Sequence, residues 1–202
     1  MTPDPVRRPT LRAEQVAQTR AALIAAGRDL FGASGFAATS VDELAARARV
    51  TTGALYHHFP TKAALFEAVF EDAHRALLQQ AEDAGSRTDD VIELLSLGFE
   101  GFLDAVTQPE LQRIIIIDAP AVLGLARFTE LDERHAFPIL VEALRAAAAQ
   151  GRLSLDDPET LARLLLGTLA RAAMLIASSA DPATTRDEVA HTIRGLLHAI
   201  AR

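Results

Sequence analysis

GFAATSVDELAARARVTTGALYHHFPTKAALFEAV, residues Gly35–Val69, is a run of short helical patterns separated by strong stops. Gly35 supplies a residue that turns left-handed without strain. It follows the apolar pattern Val16, Leu23, Ile24, Ala26, Gly27, Leu30, Phe31, whose three- and four-residue spacing predicts a helix from about Ala13. Phe36 is then placed to fold back on Phe31, as a Schellman-type stop requires. Ser40 and Glu43 have the serine-x-x-glutamate spacing of a capping box. They open a short helix that turns Val41, Leu44, Ala45 and Ala48 inward. The chain turns around Arg49-Val50-Thr51, and a second short helix runs through Thr52–His58. Pro60 stops it, because a residue before proline, here Phe59, is pushed out of helical geometry. Thr61 caps a long helix over about 62–84, with Leu65, Phe66, Val69, Phe70, Ala73 and Leu77 inward.

Outward from this stretch the pattern stays helical. Helices are predicted near 89–107, 109–117, 121–150, 157–179 and 184–201, with breaks at Thr107-Gln108-Pro109, Pro120, Gly151 and Asp181-Pro182. Ile114–Ile117 has strand propensity. Leu111, Ile114, Ile115 and Asp118 also fit helical spacing, and a strand there would have no partner, so the run is read as helix. The fold class is therefore all-α: a three-helix helix-turn-helix domain followed by a larger helical domain, about nine helices in all. The predicted units are a disordered basic arm at 1–12, a helix-turn-helix domain at 13–61, and a body at 62–202 that binds ligand and dimerises.

Composition narrows the function. Cysteine is absent, which excludes disulfides, thiolate metal sites and cysteine nucleophiles. Net charge is −7, but it is unevenly placed. Residues 1–62 carry eight basic and five acidic side chains, a surplus of +3. The remainder carries −10. A basic head on an acidic body suits a protein that meets a polyanion at one end. Met1–Pro5 has no apolar signal core, and no apolar run approaches the roughly 20 residues that span a bilayer. The expectation is a soluble cytoplasmic protein with no membrane partner.

Gly35–Val69 resembles the DNA-binding signature of the tetracycline-repressor (TetR) family. The resemblance rests on the glycine-aromatic stop, Thr39-Ser40-Val41, Leu44-Ala45, Gly53-x-Leu55-Tyr56-x-His58-Phe59, and Lys62 followed by Ala64-Leu65. It is specific over roughly 15–70 and loose beyond, where helix number and the segment IIIIDAPAVLG carry it. It implies a dimeric repressor that binds a palindromic double-stranded operator and is released by a small organic effector. It also implies that Lys62, the only lysine in the chain, is a phosphate-binding residue.

The residue chemistry points the same way. Leu55 and Phe59 lie one turn apart and face the core. The opposite face offers Thr51 and Thr52 for base edges, Gly53 for close backbone approach, and Tyr56 and His57 for phosphates. Tyr56 also fits a core position with a bonded hydroxyl. Thr39 and Ser40 either cap a helix or cap it and touch phosphate. Arg49 stands where the family usually has glycine. Either the turn differs here or Arg49 offsets its strain through a phosphate contact. His57-His58 point in different directions with no third ligand at a useful spacing, so no metal and no cofactor are expected.

In the body, Phe99, Phe102 and Phe128, with the polar candidates Asp118, His135 and Arg171, are the predicted effector-site residues. The helices near 157–179 and 184–201 are the predicted homodimer interface, through Gly167, Ala170, Ala173, Ala177, Leu166, Leu169 and Ile176, then Val189, Ile193, Leu196, Leu197 and Ile200. Burial inside a monomer core fits the same residues. No nucleophile-base arrangement, metal signature or phosphate loop points to an enzyme. A helical ligand-binding module without DNA binding is the other alternative, and the intact reading face speaks against it.

Overall fold

The computed structural model describes residues 10–88, 90–153 and 157–201. Nine helical stretches make up these residues: α1 (Leu11–Ser34), α2 (Val41–Arg47), α3 (Thr52–His58), α4 (Lys62–Gly85), α5 (Val91–Val106), one run from Pro109 to Leu123, α8 (Leu125–Ala149), α9 (Pro158–Ser178) and α10 (Pro182–Ile200). The run from Pro109 to Leu123 is composite. It holds α6 (Pro109–Leu111), a π-helical segment (Gln112–Asp118) and α7 (Ala119–Leu123). A single antiparallel bridge, Leu153 to Ala201, is the one extended pairing among the described residues.

Helix starts follow side-chain capping. Thr10, Ser40, Thr51, Thr61, Asp90, Asp157 and Asp181 each accept a backbone N–H of the first turn. Thr10 brings Leu11 and Arg12 into α1, two residues the sequence reading gave to a disordered arm. The rest of that arm, 1–9, lies outside the described residues. Pro158 and Pro182 open α9 and α10, where a missing N–H costs nothing. Pro120 is likewise in the first turn of α7, so the break predicted there falls instead at Gly124, which has φ 77°. Pro138 lies inside α8, which continues through it.

One continuous core runs from Leu23 in α1 through α4 and α5 to Leu197 in α10. Leu23, Leu44, Leu55, Leu65, Phe66 and Phe70 are fully enclosed. Each such side chain contributes about 2 kcal/mol by leaving water. Phe31, Phe36 and Phe66 form an aromatic cluster with centroids 5.3–5.7 Å apart, which fixes α1 to α4. Phe36 folds back on Phe31 as predicted, but Gly35 has ψ 164° and the Phe36 N–H goes to Asp118, so the stop is not of the Schellman type. Arg28 of α1 bridges Asp72 of α4 at 3.0 Å and Glu110 of α6 at 2.6 Å. Burial opposes its charge, but the hydrogen bonds to Glu110 and Asp72 outweigh that and raise its pKa.

α9 is long and apolar enough to cross a membrane by length and composition. Here it lies against α8, α10 and the core through Ala162, Leu169, Ala172, Ala173 and Ile176. Its outward side carries Leu164, Met174 and Leu175, each at least 41% exposed. The interface set predicted from sequence is thereby split. Leu169, Ala173, Ile176, Ile193 and Leu197 face the protein's own core, whereas Gly167, Leu196 and Ile200 face outward.

Candidate nucleic-acid interface and body cavity

The geometry of the α2–α3 pair starts with its caps. Ser40 Oγ accepts the Glu43 N–H at 3.2 Å, and Glu43 Oε2 accepts the Ser40 N–H at 2.8 Å. The backbone N–H and the hydroxyl of Ser40 together hold the Glu43 carboxyl below its usual range. After α2, Arg49 adopts φ 57°. The turn therefore keeps the left-handed geometry usually given to glycine, at a strain of about 1 kcal/mol. The reading in which the turn differs is overturned. The Arg49 side chain is exposed and makes no ion pair among the described residues.

Thr51 then caps α3, accepting the Ala54 N–H at 3.1 Å. Thr52 donates its hydroxyl to Asp42 Oδ1 at 3.0 Å and so ties α3 to α2. Leu55 and Phe59 are buried beneath. Thr51, Gly53, Tyr56 and His57 are exposed on the other side. Tyr56 is 47% exposed, which removes its core reading. A Cβ on Gly53 would meet nothing nearer than the Thr51 hydroxyl at 3.9 Å, so the outer face of α3 is open to a partner.

Two predicted DNA-contact residues outside α3 are engaged within the protein. Thr39 is 3% exposed, and its hydroxyl donates to the Gly35 carbonyl at 2.9 Å. It locks the α1–α2 connection and has no side-chain atom to offer DNA. Ser40, not Thr39, is the cap. Lys62 is half-buried over the Phe36 ring, 4.2 Å from its centroid. Its ammonium donates to the carbonyls of Phe36 and Thr39, each at 2.8 Å. The conflict between a cation and the start of α4 is thus relieved inside the protein, and one N–H remains for an external anion.

The body reaches this head through the π-helical segment. Asp118 Oδ2 accepts the Phe36 N–H at 2.7 Å. A Cβ on Gly35 would meet the movable tip of Arg113 at 2.9 Å and Asp118 Oδ2 at 3.3 Å, so it is chiefly the φ of 83° that calls for glycine here. At Gly32 of α1 a Cβ would lie 2.6 Å from Glu110 Cγ, a close approach that glycine permits. A π-helical turn widens the bond pattern to i→i+5, here from the Ala119 N–H to the Ile114 carbonyl. Within it Ile114 and Ile115 are buried and Ile117 is exposed.

Ile115 and Ile116 also line a cavity of about 290 Å³ between α4, α5, the π segment, α8 and α9. Its wall is almost entirely carbon. Phe99, Phe102 and Phe128 line it, as the sequence reading placed them. Asp118, His135 and Arg171 do not. Asp118 is spent on Phe36, His135 lies behind His74 at a 6.0 Å ring separation, and Arg171 is exposed on the outer side of α9. The polar residues that do line it were missed: His74 and Asp132, with Glu82 and Ser86. His74 is 1% exposed and stacks on Phe70 at 5.4 Å. Its signal in sequence was its place one turn beyond Phe70 on the apolar stripe of α4, where it reads as core.

An exposed short helix, seated on a second by its caps and carried by a third, defines a helix-turn-helix DNA-binding protein. Residues 23–69 match the bacterial regulatory proteins of the tetR family, and residues 92–200 match the tetracyclin repressor-like C-terminal domain. The chain is 30% identical over 164 residues to the HTH-type transcriptional regulator CymR of Pseudomonas putida, covering 78% of this chain and 79% of CymR. It is 24% identical to the Tn10 TetC protein of Escherichia coli, covering 91% and 93%. A crystal structure of a TetR-family transcriptional regulator from Pectobacterium atrosepticum superposes with a TM-score of 0.84 at 33% identity, covering 96% and 98%. RolR, solved in complex with resorcinol, shares the fold at a TM-score of 0.71 and 21% identity, covering 94% and 95%. The chain belongs to the TetR family of transcriptional regulators, DNA-binding proteins rather than enzymes.

Proposed function

We propose that the chain is a cytoplasmic repressor that binds a palindromic operator as a homodimer and leaves it when a small organic effector fills the body cavity. The observation that carries this reading is the open outer face of α3, with Thr51, Gly53, Tyr56 and His57 exposed on a helix fixed by Thr52–Asp42. Two such helices reach successive major grooves when their dimer holds them about 34–36 Å apart. Residues 13–61 form the reading head and 62–202 the sensing and dimerising body. The outward sides of α9 and α10 supply the apolar surface for a four-helix interface, through Leu164, Met174, Leu175, Leu196 and Ile200. Gly167 and Gly195 have nothing within 4 Å of a Cβ, so a second pair of helices has room to approach closely.

Release follows from two links between cavity and head. α4 carries His74 in the cavity wall and Lys62 at the head. The π segment carries Ile115 and Ile116 in the wall and Asp118 on Phe36. A ligand that shifts either changes the spacing of the two heads, and losing one half-site removes the avidity of the pair. DNA must weaken effector binding by the same factor. A mobility-shift assay on the DNA upstream of the chain's own gene tests the reading, with sedimentation to count protomers. Specific, salt-sensitive binding by a dimer is expected. Absence of specific binding, or binding by a monomer, overturns it.

A further inference from the structure

We infer that the cavity selects an uncharged, flat, ring-containing compound bearing one hydroxyl, and rejects the matching carboxylate. This rests on the effector reading above and names the chemistry of that same site. Three observations carry it.

The first is shape and surface. The wall holds Phe99, Phe102 and Phe128 among aliphatic side chains, with Phe128 edge-on to Phe70 at 5.7 Å. Aromatic edges and faces favour a planar ring. A volume of about 290 Å³ is roughly twice that of a cavity that takes benzene, so a ring with a few more carbons fits.

The second is charge. Among the described residues no lysine or arginine lines the cavity, whereas Asp132 and Glu82 do. A carboxylate ligand would lose its water and meet negative charge, with no cation to receive it.

The third is one buried nitrogen. His74 Nε2 lies 3.0 Å from Asp132 Oδ1. A carboxylate only accepts, so Nε2 carries the hydrogen, and in the neutral ring Nδ1 is left as a lone-pair acceptor. That Nδ1 is buried and has no partner among the described residues. His74 lines the cavity with this Nδ1 set just beneath the wall, so a ligand hydroxyl has an acceptor to donate to where a hydrocarbon has none. Asp132 thus sets the tautomer, and His74 receives the ligand's hydrogen.

The test is calorimetric titration of the full chain with 4-propylphenol, propylbenzene and 4-propylbenzoate. The phenol should bind at least ten-fold more tightly than propylbenzene, and the benzoate most weakly. His74→Phe keeps the ring and removes the acceptor. It should lower phenol affinity about ten-fold and leave propylbenzene unchanged. Should His74→Phe fail to fold, Asp132→Asn, which no longer fixes the tautomer, should narrow the ratio between phenol and hydrocarbon. Tighter binding of the benzoate, no binding of any of the three, or an equal effect of the variants on phenol and hydrocarbon overturns the inference. Mobility shifts run in parallel separate the two readings. DNA binding without phenol binding removes only the ligand class. Phenol binding without DNA binding removes only the repressor.

Discussion

Asp118 in the body holds the backbone N–H of Phe36 in the head at 2.7 Å, three residues beyond a cavity-lining isoleucine, Ile115. The bond is charge-assisted and partly sheltered, and the N–H has no other partner among the described residues once it is cut. Removing the acceptor should therefore destabilise the chain by about 1–3 kcal/mol. Its larger expected effect is on coupling. Asp118→Ala should bind the phenol probe nearly as well as the parent, yet the ratio of DNA affinities without and with that probe should shrink several-fold. Asp118→Asn keeps an oxygen acceptor and should restore most of the ratio. Fluorescence-anisotropy titrations of operator DNA, with and without probe, measure it. An undiminished ratio in Asp118→Ala would leave α4 as the sole route.

Lys62 joins the same corner from the other side. Its ammonium spends two donors on the Phe36 and Thr39 carbonyls and has one to spare. Lys62→Met preserves the packing on Phe36 and deletes the charge. Two outcomes should separate. The melting temperature should drop, because two carbonyls lose a charged donor, a loss of about 2 kcal/mol. The slope of log affinity against log salt should also fall by about 0.9, the loss of one phosphate contact, without a change in sequence preference. An unchanged slope beside a lowered melting temperature would make Lys62 wholly an internal brace.

The head was legible in the sequence because its determinants are local. Ser40 with Glu43, Gly35 with Phe36, and Phe59 before Pro60 each act within four residues, and all three stand in the structure as the spacing predicts. What the sequence concealed is non-local. Thr39 reads as a surface residue until Gly35 and Leu30 are folded over its hydroxyl. Asp118 accepts the amide N–H of Phe36 and Lys62 donates to its carbonyl, across 82 and 26 residues. The cavity's polar pair joins α4 to α8. Proline misled in a different way. Pro120 reads as a breaker yet occupies the first turn of α7, which needs no N–H, whereas the break read at Asp181-Pro182 does separate α9 from α10.

Arg49 is a place where one substitution separates stability from binding. Its φ of 57° strains any side chain, and its guanidinium stands exposed at the turn before α3. Arg49→Gly should raise the unfolding free energy by about 1 kcal/mol. It should also weaken DNA binding and reduce the salt slope by about 0.9 if the side chain reaches phosphate. Chemical denaturation and anisotropy on the same preparation give both numbers. A stabilised protein with undiminished affinity would show that the strain is tolerated without a DNA contact to offset it.

The capping box makes the head sensitive to acid. Glu43 accepts the N–H and hydroxyl of Ser40, and its folded-state pKa lies below the ordinary 4.5 as a result. A carboxyl lowered on folding stabilises above its unfolded value, and that contribution disappears as pH falls through the folded one. Glu43→Gln retains an oxygen acceptor but never ionises. The parent should melt above Glu43→Gln near pH 7, and the gap should close progressively below about pH 4.5. Thermal unfolding of both proteins from pH 7 to pH 3 measures the gap directly. A gap that stays constant or widens on acidification would mean that the Glu43 charge does not support the start of α2, and that Ser40 alone holds that end of the reading head.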